Sequence, residues 1–199
     1  MKKFVALALL FTLFWGCEVT DDGGWGECPE ALPFFDINGL NVDNRLFDTS
    51  CCGNAILNNE SVPFENFSIF GSYEYSLHAF QPSKGGFMSR SYALSCLAGG
   101  YEGSQETISE FIVTTNLDIN ENYLAGDTIN NLLTFNDFIT TRTLNEFLAD
   151  EERAILSPQF FLQLTERPTA SDTASFTVNI VLDNGESYTE TTPNVIFRQ

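Results

Sequence analysis

A segment of alternating residues near the C-terminus constrains the fold most. Segment 176–182 (FTVNIVL) places Phe, Val, Ile and Leu at every second position, which is typical of a strand with one buried face. Asp183-Asn184-Gly185-Glu186 follows and predicts a hairpin turn, because Asn-Gly tolerates positive φ angles. Segment 187–197 is then the expected return strand, with Pro193 directing its second half toward a sheet edge. A loop of either two or three residues fits the sequence, and the choice sets the register.

Other segments repeat this strand-like pattern. Alternation predicts strands around 67–81, 89–98 and 107–116, and the last of these is rich in Thr, Ile and Val. Gly85-Gly86 and Gly99-Gly100 predict turns between them. Several short strands separated by turn signals predict a mainly β fold, an antiparallel β-sandwich of the Ig-like or a related type.

One short helix interrupts the strands. Thr143 and Glu146 form a capping-box pattern that predicts a helix over 143–150. Segment 167–175 is polar and predicts a loop. The many phenylalanines are expected to fill the core, since large apolar side chains are mostly buried. A ligand-binding platform is the alternative for them.

The N-terminus predicts export. Lys2 and Lys3 precede an apolar run over 4–15 that ends at Gly16-Cys17. The run is shorter than the roughly 20 residues of a membrane-spanning helix, so we predict a secretory signal peptide over 1–16. Cys17 after a small residue resembles the bacterial lipobox, which implies that Cys17 is acylated. An ordinary signal peptide with a coincidental cysteine is the alternative.

Processing at this position predicts three parts and an acidic surface. Residues 17–30 would form an acidic, glycine-rich tether, and residues 31–199 a single domain. The net charge of −18 argues against nucleic acid as a partner. It also argues against a basic membrane-binding patch, so attachment to the membrane would depend on the lipid at Cys17.

The remaining cysteines fit an oxidising compartment. Cys28, Cys51, Cys52 and Cys96 are an even set in an exported chain, which predicts two disulfides. Pairing of the neighbours Cys51 and Cys52 would be strained, so we expect each of them to join Cys28 or Cys96. Zinc is the weaker alternative, because no C-x-x-C pair is present.

Motifs of catalysis are missing from the sequence. It contains no G-x-S-x-G, P-loop or H-E-x-x-H pattern, and its single histidine, His78, falls in a predicted strand. Carboxylate pairs are expected by chance among 27 acidic residues. Segment 118–122 imitates half of a calcium loop, but Tyr123 replaces the required Gly and Ile129 the final Glu. We interpret this segment as a polar turn, and we predict no enzyme activity and no cofactor.

Three segments together resemble a family of Bacteroidetes-type envelope lipoproteins of about 200 residues and unknown function. They are Phe34-Phe35-Asp36-Ile37-Asn38-Gly39-Leu40, Leu117-Asp118-Ile119-Asn120-Glu121-Asn122-Tyr123-Leu124-Ala125-Gly126 and Leu182-Asp183-Asn184-Gly185-Glu186. The resemblance implies an outer-membrane lipoprotein. Acidic residues soon after the lipidated cysteine, here Glu18, Asp21 and Asp22, imply a position facing the medium rather than the periplasm. It also implies O-glycosylation at Asp-Ser/Thr-apolar sites, which Thr173 and, less well, Thr128 match.

These observations leave three functional hypotheses. The first is a non-catalytic surface module that binds a glycan or an envelope protein, with Tyr73, Tyr75 or Tyr101 stacking on sugar rings if they are exposed rather than buried. The second is a periplasm-facing structural or assembly lipoprotein whose acidic surface meets its partner. The third, which we favour least, is a small glycan hydrolase that uses two carboxylates.

Overall fold

The computed structural model describes residues 31–47, 53–78, 99–168 and 173–198. The strands in these ranges are β1 (Phe34–Leu46), β2 (Glu60–Pro63), β3 (Phe67–His78), β4 (Gly103–Ser104), β5 (Ile108–Thr115), β6 (Leu133–Asn136), β7 (Thr141–Thr143), β8 (Gln159–Leu164), β9 (Thr173–Ala174), β10 (Phe176–Leu182), β11 (Ser187–Thr191) and β12 (Val195–Arg198). The α-helix is α1 (Leu144–Ala149), and short 3₁₀ turns lie at Phe64–Asn66 and Asn130–Leu132.

The strands form three sheets. The largest has the order β4-β1-β3-β8-β6-β7, and the others have the orders β11-β10-β5 and β2-β12-β9. Adjacent strands are antiparallel, except that β1 pairs with β4 and β12 with β2 in parallel. The prediction of a mainly β sandwich with one short helix is confirmed.

Aromatic side chains join the sheets in one core. Phe111 of β5 packs edge-on against Phe160 of β8, with 5.4 Å between ring centroids. Phe67 of β3 packs against Phe176 of β10 at 5.6 Å and against Phe197 of β12 at 5.0 Å. Because these contacts connect all three sheets, the phenylalanines hold the layers together as the sequence predicted.

The predicted helix is present with its cap. Thr143 Oγ1 accepts a hydrogen bond from the Glu146 backbone, and Glu146 Oε2 accepts one from the Thr143 backbone. The helix buries Leu144 and Phe147, and the Phe147 ring stacks on Phe135 at 4.4 Å. A local capping signal and one apolar face therefore account for α1.

The C-terminal hairpin has a three-residue loop. Val181 pairs with Ser187, Gly185 N–H donates to Leu182 O, and Leu182 N–H donates to Glu186 O. Gly185 has φ +90°, which glycine adopts without steric cost. This arrangement settles the register that the sequence left open.

The return strand is shorter than predicted. It ends at Thr191, and β12 begins at Val195 in another sheet, where it pairs with β2. Pro193 lies between them and has no backbone N–H, so the ladder with β10 cannot continue past it.

The polar segment 167–175 also differs from expectation. Thr173–Ala174 forms β9 and pairs with β12, so the described part of the segment is not a loop throughout.

Several predictions fall outside the described residues. They are the signal peptide, Cys17, the tether, the strand at 89–98, and Cys28, Cys51, Cys52 and Cys96. Strands β3 and β5 confirm the predictions near 67–81 and 107–116 as far as these segments are described. Among the described residues, no helix has the length and apolar character that a membrane span requires.

Candidate functional site

The six-stranded sheet carries aromatic residues on both faces. Successive side chains of a strand point to opposite faces, so Phe160 and Phe161 of β8 lie on opposite sides. Phe160 lies on the inner face, within the core. Phe161 lies on the outer face, where it stands opposite Phe70 of β3 with 5.1 Å between ring centroids. Both outer-face rings are buried without belonging to the core cluster.

Further side chains extend this outer-face contact. Phe138 lies 5.3 Å from Phe161, and Phe47 lies 6.4 Å from it, both measured between ring centroids. The Arg45 guanidinium carbon lies 3.7 Å from the centre of the Phe70 ring, within cation–π distance. We call these five residues, together with Ile139, the outer-face patch.

The most exposed part of the patch is the turn between β6 and β7. Phe138 is 45% exposed and Ile139 is 60% exposed. Phe138 has φ +69°, a left-handed conformation that bulky residues rarely adopt. Such strain persists only where the surroundings enforce it, and it is concentrated at functional positions.

Side-chain hydrogen bonds enforce this turn. Asn136 Oδ1 accepts from Phe138 N–H at 2.8 Å. Asp137 Oδ1 accepts from the backbone N–H of Ile139 at 3.0 Å and of Thr140 at 2.7 Å. The fold therefore presents two large apolar side chains to water on a backbone that polar groups hold in place.

The outer-face patch was not predicted from the sequence. The available signal was Asn136-Asp137, a turn-forming pair, directly before two large apolar residues. Phe161 could not be distinguished from Phe160 by its sequence position alone.

The predicted sugar-stacking tyrosines lie elsewhere. Tyr73 is buried in the core, and burial raises the pKa of its phenol, so it cannot stack on a ligand. Tyr75 and Tyr101 are exposed, and the Tyr75 ring packs 5.3 Å from Phe35. None of the three contributes to the outer-face patch.

The two glycosylation candidates differ in accessibility. Thr128 is exposed and forms an isolated bridge with Thr114. Thr173 is half-buried in β9, where it pairs with Ile196. The structure therefore leaves Thr128 more accessible to a modifying enzyme than Thr173, the reverse of the order that the sequence suggested.

The calcium-like segment is a polar turn, as predicted. Asn120 Oδ1 accepts from Asn122 N–H at 2.8 Å, and Asp118 Oδ1 accepts from Ala125 N–H at 2.7 Å. These oxygens organise the backbone of the turn. Within the described ranges, no three His, Cys, Asp or Glu side chains converge as metal ligands would.

A second polar feature lies where β1 meets the C-terminal hairpin. Ser104 Oγ contacts Glu106 Oε2, and the Asp36 carboxyl group lies close enough to affect the pKa of Glu106. Burial raises the pKa of the Glu106 carboxyl, and the contact with Asp36 raises it further. The sequence places these two acids 70 residues apart and offers no signal for their pairing.

Tyr188 of β11 adjoins the same acids. Its Oη lies 3.0 Å from Ile37 O and 2.9 Å from Glu186 Oε2. Burial raises the pKa of Tyr188 to about 12, and hydrogen bonding to Glu186 adds to this effect. We call Asp36, Glu106, Glu186 and Tyr188 the carboxyl cluster.

A small hollow in the described residues is too small for a substrate. It measures about 10 Å³ and is lined by Tyr73, Phe135, Phe147, Phe160 and residues of the 154–159 segment. That volume is close to the minimum for a single water molecule.

No family model, curated protein or solved structure matches this chain. The resemblance to envelope lipoproteins accordingly stays a prediction, and function has to be inferred from the geometry of the outer-face patch and the carboxyl cluster.

Proposed function

We propose that this protein is an exported, lipid-anchored and non-catalytic envelope lipoprotein that binds another protein through the outer-face patch. The observation that carries the proposal is the Phe138–Ile139 turn, in which hydrogen-bonded side chains hold two apolar residues in solvent on a strained backbone. The anchor at Cys17 and the outer-membrane, surface-facing position derive from the sequence.

A contiguous apolar surface supports a binding role. Single exposed apolar residues are common on proteins and need no explanation. Here Phe47, Phe138 and Ile139 are exposed together, and two of them contact the buried Phe161. Such a patch marks an interaction site more often than isolated residues do.

The chemistry of the patch favours a protein over a glycan. Sugars need hydrogen-bond partners for their hydroxyl groups as well as a stacking ring. In the turn, Asn136 Nδ2 donates to Thr141 Oγ1 at 2.9 Å, and Thr140 Oγ1 contacts Asp137 Oδ1 at 3.2 Å. Because these polar groups are engaged within the turn, an apolar side chain of a protein fits the surface better.

Charge specifies the partner further. The chain carries a net charge of −18, so like-charged proteins are repelled and cationic ones attracted over the whole surface. We therefore expect a partner segment with apolar side chains for the patch and lysine or arginine beside them.

A peptide titration tests the binding surface. The full processed chain is reconstituted in nanodiscs of neutral lipid, with empty nanodiscs subtracted. It is titrated with a synthetic peptide of alternating leucine and lysine, with a leucine–glutamate peptide and with a serine–lysine peptide. We expect measurable affinity for the first peptide only, and a loss of about tenfold or more in the double variant Phe138→Ser, Ile139→Ser.

The matched control is Leu57→Ser, which removes a leucine that is 73% exposed outside the patch. It should leave the affinity unchanged. Equal binding by the wild type and the double variant would refute the proposed surface. If the protein instead binds a member of an oligosaccharide panel, and substitution of Tyr75 or Tyr101 abolishes that binding, the protein binds a glycan at a different site.

The anchoring proposal has its own test. Cells are fed an alkyne-tagged fatty acid, and the wild type is compared with Cys17→Ser. Label on the wild type alone supports lipidation at Cys17. Protease treatment of intact cells then separates the two orientations, because a surface domain is digested and a periplasmic domain, as in the assembly hypothesis, is protected.

The geometry of the acids does not favour a hydrolase. Glycosidases need a carboxylic acid with a raised pKa that reaches the bond to be cleaved. The pKa of Glu106 is raised, but the residue is only 9% exposed and its carboxyl group contacts Ser104 Oγ. Glu106 therefore does not face a substrate in solvent.

A further inference from the structure

We propose that the outer edge of β11 receives an extended, basic segment of another protein, which adds a strand to the sheet β11-β10-β5. Strand β11 (Ser187–Thr191) is the end strand of this sheet and pairs on one side with β10. We call its other side the β11 edge. Exposed edges of this kind bind extended segments through backbone hydrogen bonds. The β11 edge is separate from the outer-face patch, so this inference goes beyond the proposed function.

The hydrogen bonds at the two ends of the hairpin show which backbone groups face outward. Leu182 N–H donates to Glu186 O at 2.8 Å, and Thr192 N–H donates to Phe176 O at 2.9 Å. Hydrogen-bonded pairs alternate along an antiparallel ladder, so the even-numbered residues of β11 direct their backbone groups to β10. The odd-numbered residues direct their N–H and C=O groups away from β10, and these are Ser187, Thr189 and Thr191.

The opposite edge of the same sheet, on β5, is covered. Asn130 imitates a neighbouring strand there: its Oδ1 accepts from Val113 N–H at 2.9 Å, and its Nδ2 donates to Phe111 O at 2.7 Å. Ile129 N–H also donates to Val113 O at 2.9 Å. Open strand edges invite pairing with other chains, and here the fold itself satisfies the outward groups of the end strand.

The β11 edge lacks such a cover. Within the described ranges, no hydrogen bond reaches the outward backbone groups of β11, so three N–H and three C=O groups face solvent. The strand is nevertheless held extended by side chains. Asn179 Nδ2 donates to Thr189 Oγ1 at 2.6 Å, and Thr177 Oγ1 lies 2.9 Å from Thr191 Oγ1. A partner strand would therefore meet an edge that is already ordered, which lowers the entropy cost of binding.

Charge selects a basic occupant. The hairpin 176–191 contains Asp183, Glu186 and Glu190 but no lysine or arginine. Glu190 is exposed and stands opposite the buried Val178, so its side chain lies on the inner face at the sheet edge. A charge in that position opposes apolar and like-charged strands. A second copy of this chain would bring a net charge of −18, whereas a strand with lysine or arginine beside Glu190 would be attracted.

A cyclic hairpin peptide tests the β11 edge. One of its strands alternates threonine and lysine, because threonine favours extended backbone and cyclisation holds the strand in place. The full processed chain in neutral-lipid nanodiscs is titrated with this peptide, and amide hydrogen exchange is followed residue by residue. We expect new protection at the amides of Ser187, Thr189 and Thr191. N-methylation of the peptide amides that face away from its own second strand should abolish binding.

Two substitutions at one position separate the backbone from the side chain. Thr189→Pro removes an outward N–H but no hydrogen bond between the backbones of β11 and β10, as an exposed edge strand tolerates. It should lower the affinity about tenfold or more. Thr189→Val is the matched control, because it loses the same hydroxyl but keeps the N–H, and it should bind as the wild type does. Glu190→Lys keeps the backbone intact and should also weaken binding.

Several outcomes would overturn the proposal. They are absence of binding by the cyclic peptide, equal binding by its N-methylated form, and equal binding by Thr189→Pro and the wild type. Protection that rises with protein concentration without peptide would identify a second copy of the chain as the occupant instead. The variant with Phe138→Ser and Ile139→Ser should still bind the cyclic peptide, so failure at the β11 edge leaves the outer-face patch untouched.

Discussion

Phe160 and Phe161 are neighbours in β8, and both are nearly inaccessible, at 1% and 6% exposure. Phe160 packs against Phe111 at 5.4 Å and Phe135 at 5.8 Å, within the core between sheets. Phe161 packs only with rings of the outer-face patch among the aromatic contacts of the described residues. Similar burial therefore has two origins: one face of the sheet is closed by another sheet, the other by a few side chains.

The largest expected effect is on the inner face. Phe160→Ala should lower the free energy of unfolding by about 3–5 kcal/mol, because the surrounding rings cannot collapse into the cavity. Phe161→Ala should lower it by about 1–3 kcal/mol, since solvent and mobile side chains can fill the space. Urea unfolding measures both. Equal losses would show that the patch is as much a part of the core as Phe160.

The next effect concerns the space between β3 and β8. A Cβ atom on Gly71 would lie 2.0 Å from Cζ of Phe160, far inside van der Waals contact. Gly71→Ala should therefore cost about 1–3 kcal/mol through overpacking. Ser72→Ala on the outer face is the matched control and should change stability by less than about 0.5 kcal/mol. A tolerated Gly71→Ala would mean that the Phe160 ring moves freely.

Local signals in the sequence predicted some elements well. Thr143 and Glu146 predicted α1 because a capping box depends on residues three positions apart. The adjacent pair Asn184-Gly185 predicted the hairpin turn, because this signal is also local in the sequence. The return strand, predicted over 187–197, was predicted too long. It ends at Thr191, and β12 pairs instead with β2, which lies more than 100 residues earlier in the sequence.

The outer-face patch and the proximity of Asp36 to Glu106 could not be predicted in this way. In the run Gln159–Leu164 several successive residues are buried, so alternation does not reveal which phenylalanine faces the core. The proximity of Asp36 to Glu106 depends on the parallel pairing of β1 with β4, which no local pattern encodes. Both features arise from contacts between distant segments.

A smaller effect is expected at the turn that carries the patch. Asp137→Ala removes the acceptor for the N–H groups of Ile139 and Thr140, which should cost about 1–2 kcal/mol. The leucine–lysine peptide should also bind more weakly, because the turn no longer holds Phe138 and Ile139. Asp127→Ala is the control: its carboxylate accepts from Leu124 N–H in an exposed turn, and its loss should leave peptide binding unchanged. If Asp137→Ala binds the peptide as tightly as the wild type does, the conformation of the turn is not needed for peptide binding.

The smallest effect distinguishes backbone strain from side-chain contact in Phe138. Phe138→Ala removes the ring contact with Phe161 but keeps a side chain at φ +69°, whereas Phe138→Gly removes both the ring and the strain. The glycine variant should therefore be more stable than the alanine variant by about 1 kcal/mol in urea unfolding, although both lose peptide affinity. If alanine is equally stable, the turn is not strained. If the glycine variant is more stable than the alanine variant, the backbone at position 138 is strained. The protein then keeps an exposed phenylalanine where glycine would relieve the strain, as expected if the Phe138 ring serves binding.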